Sequence, residues 1–240
     1  MRSFLCVLVL IFGAGPAKAD ANADTQIRKC RIYRMGQTDA AALYTQETQV
    51  QTTADGETHW NSKISDPDGQ VVMTETAVLK GLSVVSQTVE QRQSGESYEL
   101  KTADGQAQFW IYKWKDGVRG EQVDKNQEKI GDNFLMGPLT EPYILKNWAA
   151  LMQGESLKVE FGIFELAKTI GFNFKKVSET ETTVEIQMKP SSFVISMLVD
   201  PLVLTFTKKD PKMIRFKGRT PLREILKGKS KPLDAEIIYD

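Results

Sequence analysis

Apolar and polar residues alternate along most of the chain, and turn residues break the alternation at short intervals. This is the pattern of antiparallel sheet. Residues 27 to 33 form the first such stretch. Residues 42 to 52 and 57 to 65 follow, with Ala54-Asp55-Gly56 between them. Asp66-Pro67-Asp68-Gly69 predicts a tight turn, because proline presets the second residue and glycine accepts a left-handed one. Residues 70 to 79, 82 to 91, 97 to 102 and 106 to 114 continue the series. Residues 118 to 134 are more polar and read as one further strand and a loop. Leu157, Val159, Phe161 and Ile163 then share one side of a strand. Ile170, Phe172 and Phe174 repeat the pattern, as do Val184, Ile186 and Met188, and Ala235, Ile237 and Tyr239 read as the closing strand.

Two segments change period. Thr140 precedes Glu141 and Pro142 as a helix start, Ile144, Leu145, Trp148, Leu151 and Met152 form one apolar stripe, and Gly154 is placed to end the helix. Later, Ser191 or Ser192 caps a turn or two in which Phe193, Val194, Ile195, Met197, Leu198 and Val199 leave almost no polar face. Pro201 stops this second helix. A hairpin follows, with Leu202, Leu204 and Phe206 on one side, a turn at residues 208 to 212, and Ile214 and Phe216 returning on the same side; Gly218 then bulges or bends its strand. A flat sheet would leave one of these helices half wet, whereas a curved one wraps both. The expected fold is mainly β: a strongly curved antiparallel sheet, an unclosed half-barrel of about eleven strands, with two short helices covering or plugging its concave face.

Residues 106 to 114 depart from simple alternation. Trp110, Tyr112 and Trp114 share one face while Phe109 and Ile111 occupy the other, so the strand is covered on both sides. Either a helix packs over the second face or that face lines an apolar cavity with the aromatic rings as ligand contacts.

Arg2, an apolar run over residues 4 to 12 and Ala17-Lys18-Ala19 before Asp20 have the form of an export signal, too short to span a bilayer. The expected organisation is a signal peptide over residues 1 to 19 and one β domain over residues 20 to 240, located in the periplasm. Without the signal, 29 basic side chains face 31 acidic ones, a net charge of −2 that implies no polyanionic partner. The distribution is uneven, since residues 208 to 231 hold ten Lys or Arg against Asp210 and Glu224. Cys6 leaves with the signal, so Cys30 is the single mature cysteine and no internal disulfide forms. It reads as a half-buried strand thiol, with an intermolecular bridge as the other reading.

Most site chemistry is missing. One histidine and one mature cysteine do not make a metal site. A Ser–His–Asp triad has only His59 to draw on, with no G-x-S-x-G turn to support it, and nucleotide-binding glycine motifs are absent, so no cofactor is expected. Glu75, Glu90, Glu99, Glu160 and Glu165 lie on expected strands, where sequence does not pair them across space. Arg215, Lys217 and Arg219 alternate with Ile214, Phe216 and Gly218, which places the charges on an outer face. They read as a solvated face that also discourages edge aggregation, or as a contact for an anionic membrane surface or envelope protein. Nucleic acid is not expected.

The run V184-E-I-Q-M-K-P-S-S-F, the apolar helix, D200-P-L-V-L-T-F and M213-I-R-F-K-G resemble the C-terminal half of the outer-membrane lipoprotein carrier and receptor proteins, over residues 184 to 240. The resemblance implies an unclosed β-barrel with helices across its mouth, and the shuttling or receiving of acylated proteins through an apolar concave face. Together these readings predict a monomeric, non-enzymatic binding protein that holds a lipid or lipoprotein acyl chain. Its contacts would be Trp110, Tyr112, Trp114, Ile144, Trp148, Phe193, Met197, Leu198, Leu202 and Phe206. A scaffold protein binding an envelope partner through Arg215, Lys217 and Arg219 is the alternative.

Overall fold

The computed structural model describes residues 24–192, 200–226 and 229–240. Its N-terminal half is an antiparallel meander: β1 (Asp24–Arg34), β2 (Tyr44–Thr52), β3 (Glu57–Ser65), β4 (Val71–Lys80), β5 (Ser83–Gln91), β6 (Glu96–Ala103), β7 (Gln106–Lys115) and β8 (Val118–Lys129). The two-residue strand β9 (Phe134–Leu135) leads to α1 (Thr140–Lys146) and α2 (Trp148–Met152). A second meander follows in β10 (Ser156–Ile163), β11 (Lys168–Glu179), β12 (Thr183–Pro190), β13 (Leu202–Thr207), β14 (Met213–Leu226) and β15 (Lys229–Tyr239). All fifteen described strands belong to one sheet, in the order β8 through β1, then β15 down to β9. The two halves join where β1 pairs with β15, with Cys30 opposite Tyr239 and Ile32 opposite Ile237.

The expected mainly β, curved and unclosed sheet is the observed one, with more strands than eleven. One of the additional strands arises in the polar residues 118 to 134, which yield both β8 and β9 where a single strand was expected. Local turn chemistry acts as the sequence predicts: the Asp66 carboxylate accepts from the backbone N–H of Asp68 at 3.1 Å and of Gln70 at 2.8 Å.

Strong curvature is shown by contacts across the concave side. Five strands lie between β5 and β14 in sheet order. Even so, Gln91 Nε2 donates to the Pro221 carbonyl at 2.9 Å, and Gln93 both donates to the Arg223 carbonyl and accepts from its N–H. The two sheet edges also approach each other. Phe164, in the 3-10 turn Phe164–Leu166, packs against Tyr98 of β6 and Phe109 of β7, with ring centroids 5.6 and 6.4 Å apart. The gap is stitched by side chains rather than by a backbone ladder, so the barrel remains unclosed.

The expected helix over residues 140 to 152 is two helices. Asn147 separates them, and its side-chain amide donates to the Tyr143 carbonyl at 2.9 Å, competing for a helical acceptor. Leu139, rather than Thr140, occupies the cap position. Most of the apolar stripe packs as its spacing predicts, with Leu145 left 37% exposed: Ile144 and Leu151 are fully buried, and Trp148 packs tilted against Phe206 at 5.5 Å. With Leu135, Leu139 and Phe174 they form a dry core between the helices and the second meander, where each large side chain gains roughly 1.5–3 kcal/mol by burial. The second expected helix, carrying Phe193, Met197 and Leu198, lies outside the described residues.

Gly218 stays paired with Ala235 and makes a close approach, while the irregularity of β14 falls after it, between residues 219 and 223. The glycine's φ is +141°, and an added Cβ would lie 3.2 Å from the backbone of Leu202 on β13.

Candidate functional site

The helices fill one end of the curved sheet and leave a cavity of about 1220 Å³ over the rest of its concave face. This exceeds the roughly 300–1,000 Å³ of ordinary small-molecule pockets. Its walls are mostly apolar: Ile32, Ile64, Met73 and Val89 from the first meander, Met188, Leu204, Phe216 and Ile237 from the second, and Met136, Phe161 and Phe164 beside the helices. Gly162 makes this packing geometry feasible, since a side chain there would run into Met136 and Phe134.

A polar strip crosses the apolar wall. Arg28, Thr48, Ser62 and Glu75 are direct cross-strand neighbours on β1 to β4 and all point inward. Arg28 forms an ion pair with Glu141 of α1, whose other oxygen accepts the Met213 N–H at 2.8 Å. The helix is thereby tied to β1 and β14 together. Arg28 also lies over the Tyr239 ring, 5.4 Å from its centroid. Beside it, Gln46 donates to Ser62 Oγ at 2.7 Å and accepts from Cys30 Sγ at 3.3 Å. Burial pushes the Cys30 thiol up to about 12, against the pull of Arg28, so it is a neutral, buried side chain of the cavity wall.

At the far end of the strip, Gln87 of β5 donates its amide to Glu75 Oε1 at 2.6 Å. Burial raises the Glu75 carboxyl to about 6, opposed by the hydrogen bond from Gln87 and by the nearby Trp60 indole N–H, which favour the charged form. A carboxyl in an apolar chamber therefore titrates near neutrality.

Of the residues expected to contact ligand, Leu202 lines the cavity. Ile144, Trp148 and Phe206 belong to the packed core at its end and do not line it. Trp110, Tyr112 and Trp114 require a correction. They sit on the outer face, while Ala107, Phe109 and Ile111 face inward. The rings are covered by cationic side chains: Lys125 over Trp110 at 5.6 Å, Arg119 over Tyr112 at 3.5 Å and Arg92 over Trp114 at 5.6 Å. Long charged side chains with apolar stems thus cover a face for which a helix or a ligand was expected.

The basic strand is also more occupied than its sequence implies. Arg215 pairs with the buried Glu236, and Arg219 holds Asp234 through two nitrogens. His59 lies on β3 with its side chain 41% exposed, 4.0 Å from Glu57 and outside the cavity. Of the carboxylates expected on strands, Glu99 is taken by Arg119 on the outer face, Glu75 lines the cavity from β4, and Glu165 lines it from the 3-10 turn Phe164–Leu166 rather than from a strand. A second hollow of about 460 Å³ is lined by Gln93, Arg223, Ser230 and Tyr98. Its polar groups are largely bonded to one another, as in Arg223 Nε to Ser230 Oγ at 2.8 Å.

The inward strip was not recognised from sequence as a unit, although phase marks it. Glu75 shares its parity with Met73, Ala77 and Leu79, and Ser62 with Trp60 and Ile64.

No family model matches the chain, and no curated protein matches it. Among solved structures, it is similar to the crystal structure of a beta-barrel-like protein of a domain of unknown function, DUF1849, from Brucella abortus. The identity is 7%, the TM-score is 0.39, and the match covers 90% of this chain and 94% of the other.

Proposed function

We propose that this chain is an exported, periplasmic, non-enzymatic binding protein that holds an acyl chain of a lipid or lipoprotein between its curved sheet and its helices. The observation that supports this reading is the cavity of about 1220 Å³, walled mainly by aliphatic and aromatic side chains, that remains after both described helices have packed. Empty apolar space of this size forfeits the contacts that stabilise a core. A flexible hydrocarbon chain restores them, gaining about 0.8 kcal/mol for each methylene it buries. The alternative of a scaffold binding through Arg215, Lys217 and Arg219 has less to draw on, because Glu236 and Asp234 already engage both arginines.

Native mass spectrometry of protein purified from a periplasm, before and after solvent extraction, tests the proposal. The expected result is an adduct of lipid mass that extraction removes and added acylated peptide restores. Protein of bare polypeptide mass that takes up neither lipid nor acylated peptide contradicts it.

A further inference from the structure

Gln87 carries an unexplained atom. The residue is 3% exposed and its Nε2 is committed to Glu75, but Oε1 is buried without a hydrogen-bond partner among the described residues. A buried acceptor left in this state is destabilising, and in native structures such an atom calls for an explanation, a functional role among them. Both Gln87 and Glu75 line the cavity, flanked inside by Met73, Ala77 and Val89, which offer no donor; the nearby donor, Trp60 Nε1, lies on the Glu75 side and is without a partner among the described residues. The pair presents oxygen to its surroundings: the amide carbonyl of Gln87 and the carboxyl of Glu75.

The charge around it decides which headgroup is tolerated. The cationic side chain on the same strip, Arg28, is three strands away; one guanidinium nitrogen pairs with Glu141, and Nη2 is buried without a partner among the described residues. At that distance Arg28 does not offset a carboxylate or phosphate brought against Glu75, and repulsion excludes one. An ammonium fares little better, because burial works against the ion pair it would form there. We infer that the polar end of the bound molecule is an uncharged hydrogen-bond donor, a hydroxyl or an amide N–H, seated on Gln87 and Glu75 with its hydrocarbon chain extending along the apolar wall. This rests on the reading of the cavity as an acyl-chain site and adds to it the class of headgroup.

The test is displacement of a fluorescent polyene hydrocarbon by competitors of equal chain length bearing a hydroxyl, a primary amide, a carboxylate or an amine, at pH 8. The alcohol and the amide are expected to displace at roughly tenfold lower concentration than the carboxylate and the amine, equivalent to about 1.4 kcal/mol. Q87L is expected to erase that gap. The wild-type ranking stands as a test even where Q87L folds poorly. A carboxylate or amine that competes as well as the alcohol overturns the headgroup inference alone, as does a Q87L variant with the gap intact. If the hydrocarbon does not bind at all, the acyl-chain reading falls and takes this inference with it.

Discussion

Asn126 on the edge strand β8 donates its side-chain amide to the Ala167 carbonyl at 2.8 Å, and Glu128, two residues further, accepts the Thr169 N–H at 2.6 Å. These two bonds join the edge strand β8 to β11 and the turn before it, near the other end of the sheet, so side chains stitch the open seam. N126A is expected to lower stability by about 1 kcal/mol and E128A by about 1.5–3 kcal/mol, since the second bond involves a charge. Urea midpoints measure the loss. Hydrogen exchange should locate it at the Thr169 amide, with the β1–β15 junction unchanged.

Gly218 is the second structural test. Alanine there must adopt φ near +141° and meet Leu202. G218A is expected to cost at least about 1–3 kcal/mol from backbone strain alone, read as a fall in the thermal midpoint. The paired variant G218A/L202A relieves the side-chain clash and not the strain, so it should recover only part of the loss.

Glu75 gives stability a pH signature. Its folded carboxyl titrates near 6 and its unfolded one near 4.5, so between these values the folded state binds more protons than the unfolded. Stability therefore falls as pH rises through the window from 4.5 to 6, by an amount on the order of 2 kcal/mol. E75Q keeps an acceptor for Gln87, removes that slope, and should be more stable than wild type at pH 8. Unfolding curves across the window check both statements.

Glu141 is the anchor of α1. E141A leaves Arg28 uncompensated and the Met213 N–H unpaired, with an expected cost of about 3–5 kcal/mol. E141Q retains an acceptor for Met213 and should lose markedly less. Equal losses in the two variants would show that the charge on Glu141 is what matters.

Much of this architecture is readable from residue order because period and turn chemistry are local. Residues 57 to 65 form β3 with the expected bounds, and the Asp66–Gly69 turn forms as written. What was illegible depends on partners distant in sequence. The outer aromatic row on β7 looked like a cavity wall because nothing in residues 106 to 114 shows that Arg92, Arg119 and Lys125 come to lie over it. Arg215 and Arg219 read as free charge because their acceptors, Glu236 and Asp234, arrive on the following strand. The cavity's polar strip has the same origin: one inward residue from each of four strands, each unremarkable alone. Its lesson is that a charge in phase with apolar neighbours marks an interior site.

Trp60 lines the cavity, whereas Trp110 and Trp114 face outward and Trp148 is packed against Phe206. Fluorescence quenching by a brominated acyl chain therefore tests the central claim directly. Saturable quenching that is lost in W60F and retained in W110F/W114F is the predicted result. Quenching that survives W60F and disappears in W110F/W114F would place the chain on the outer face and contradict the account.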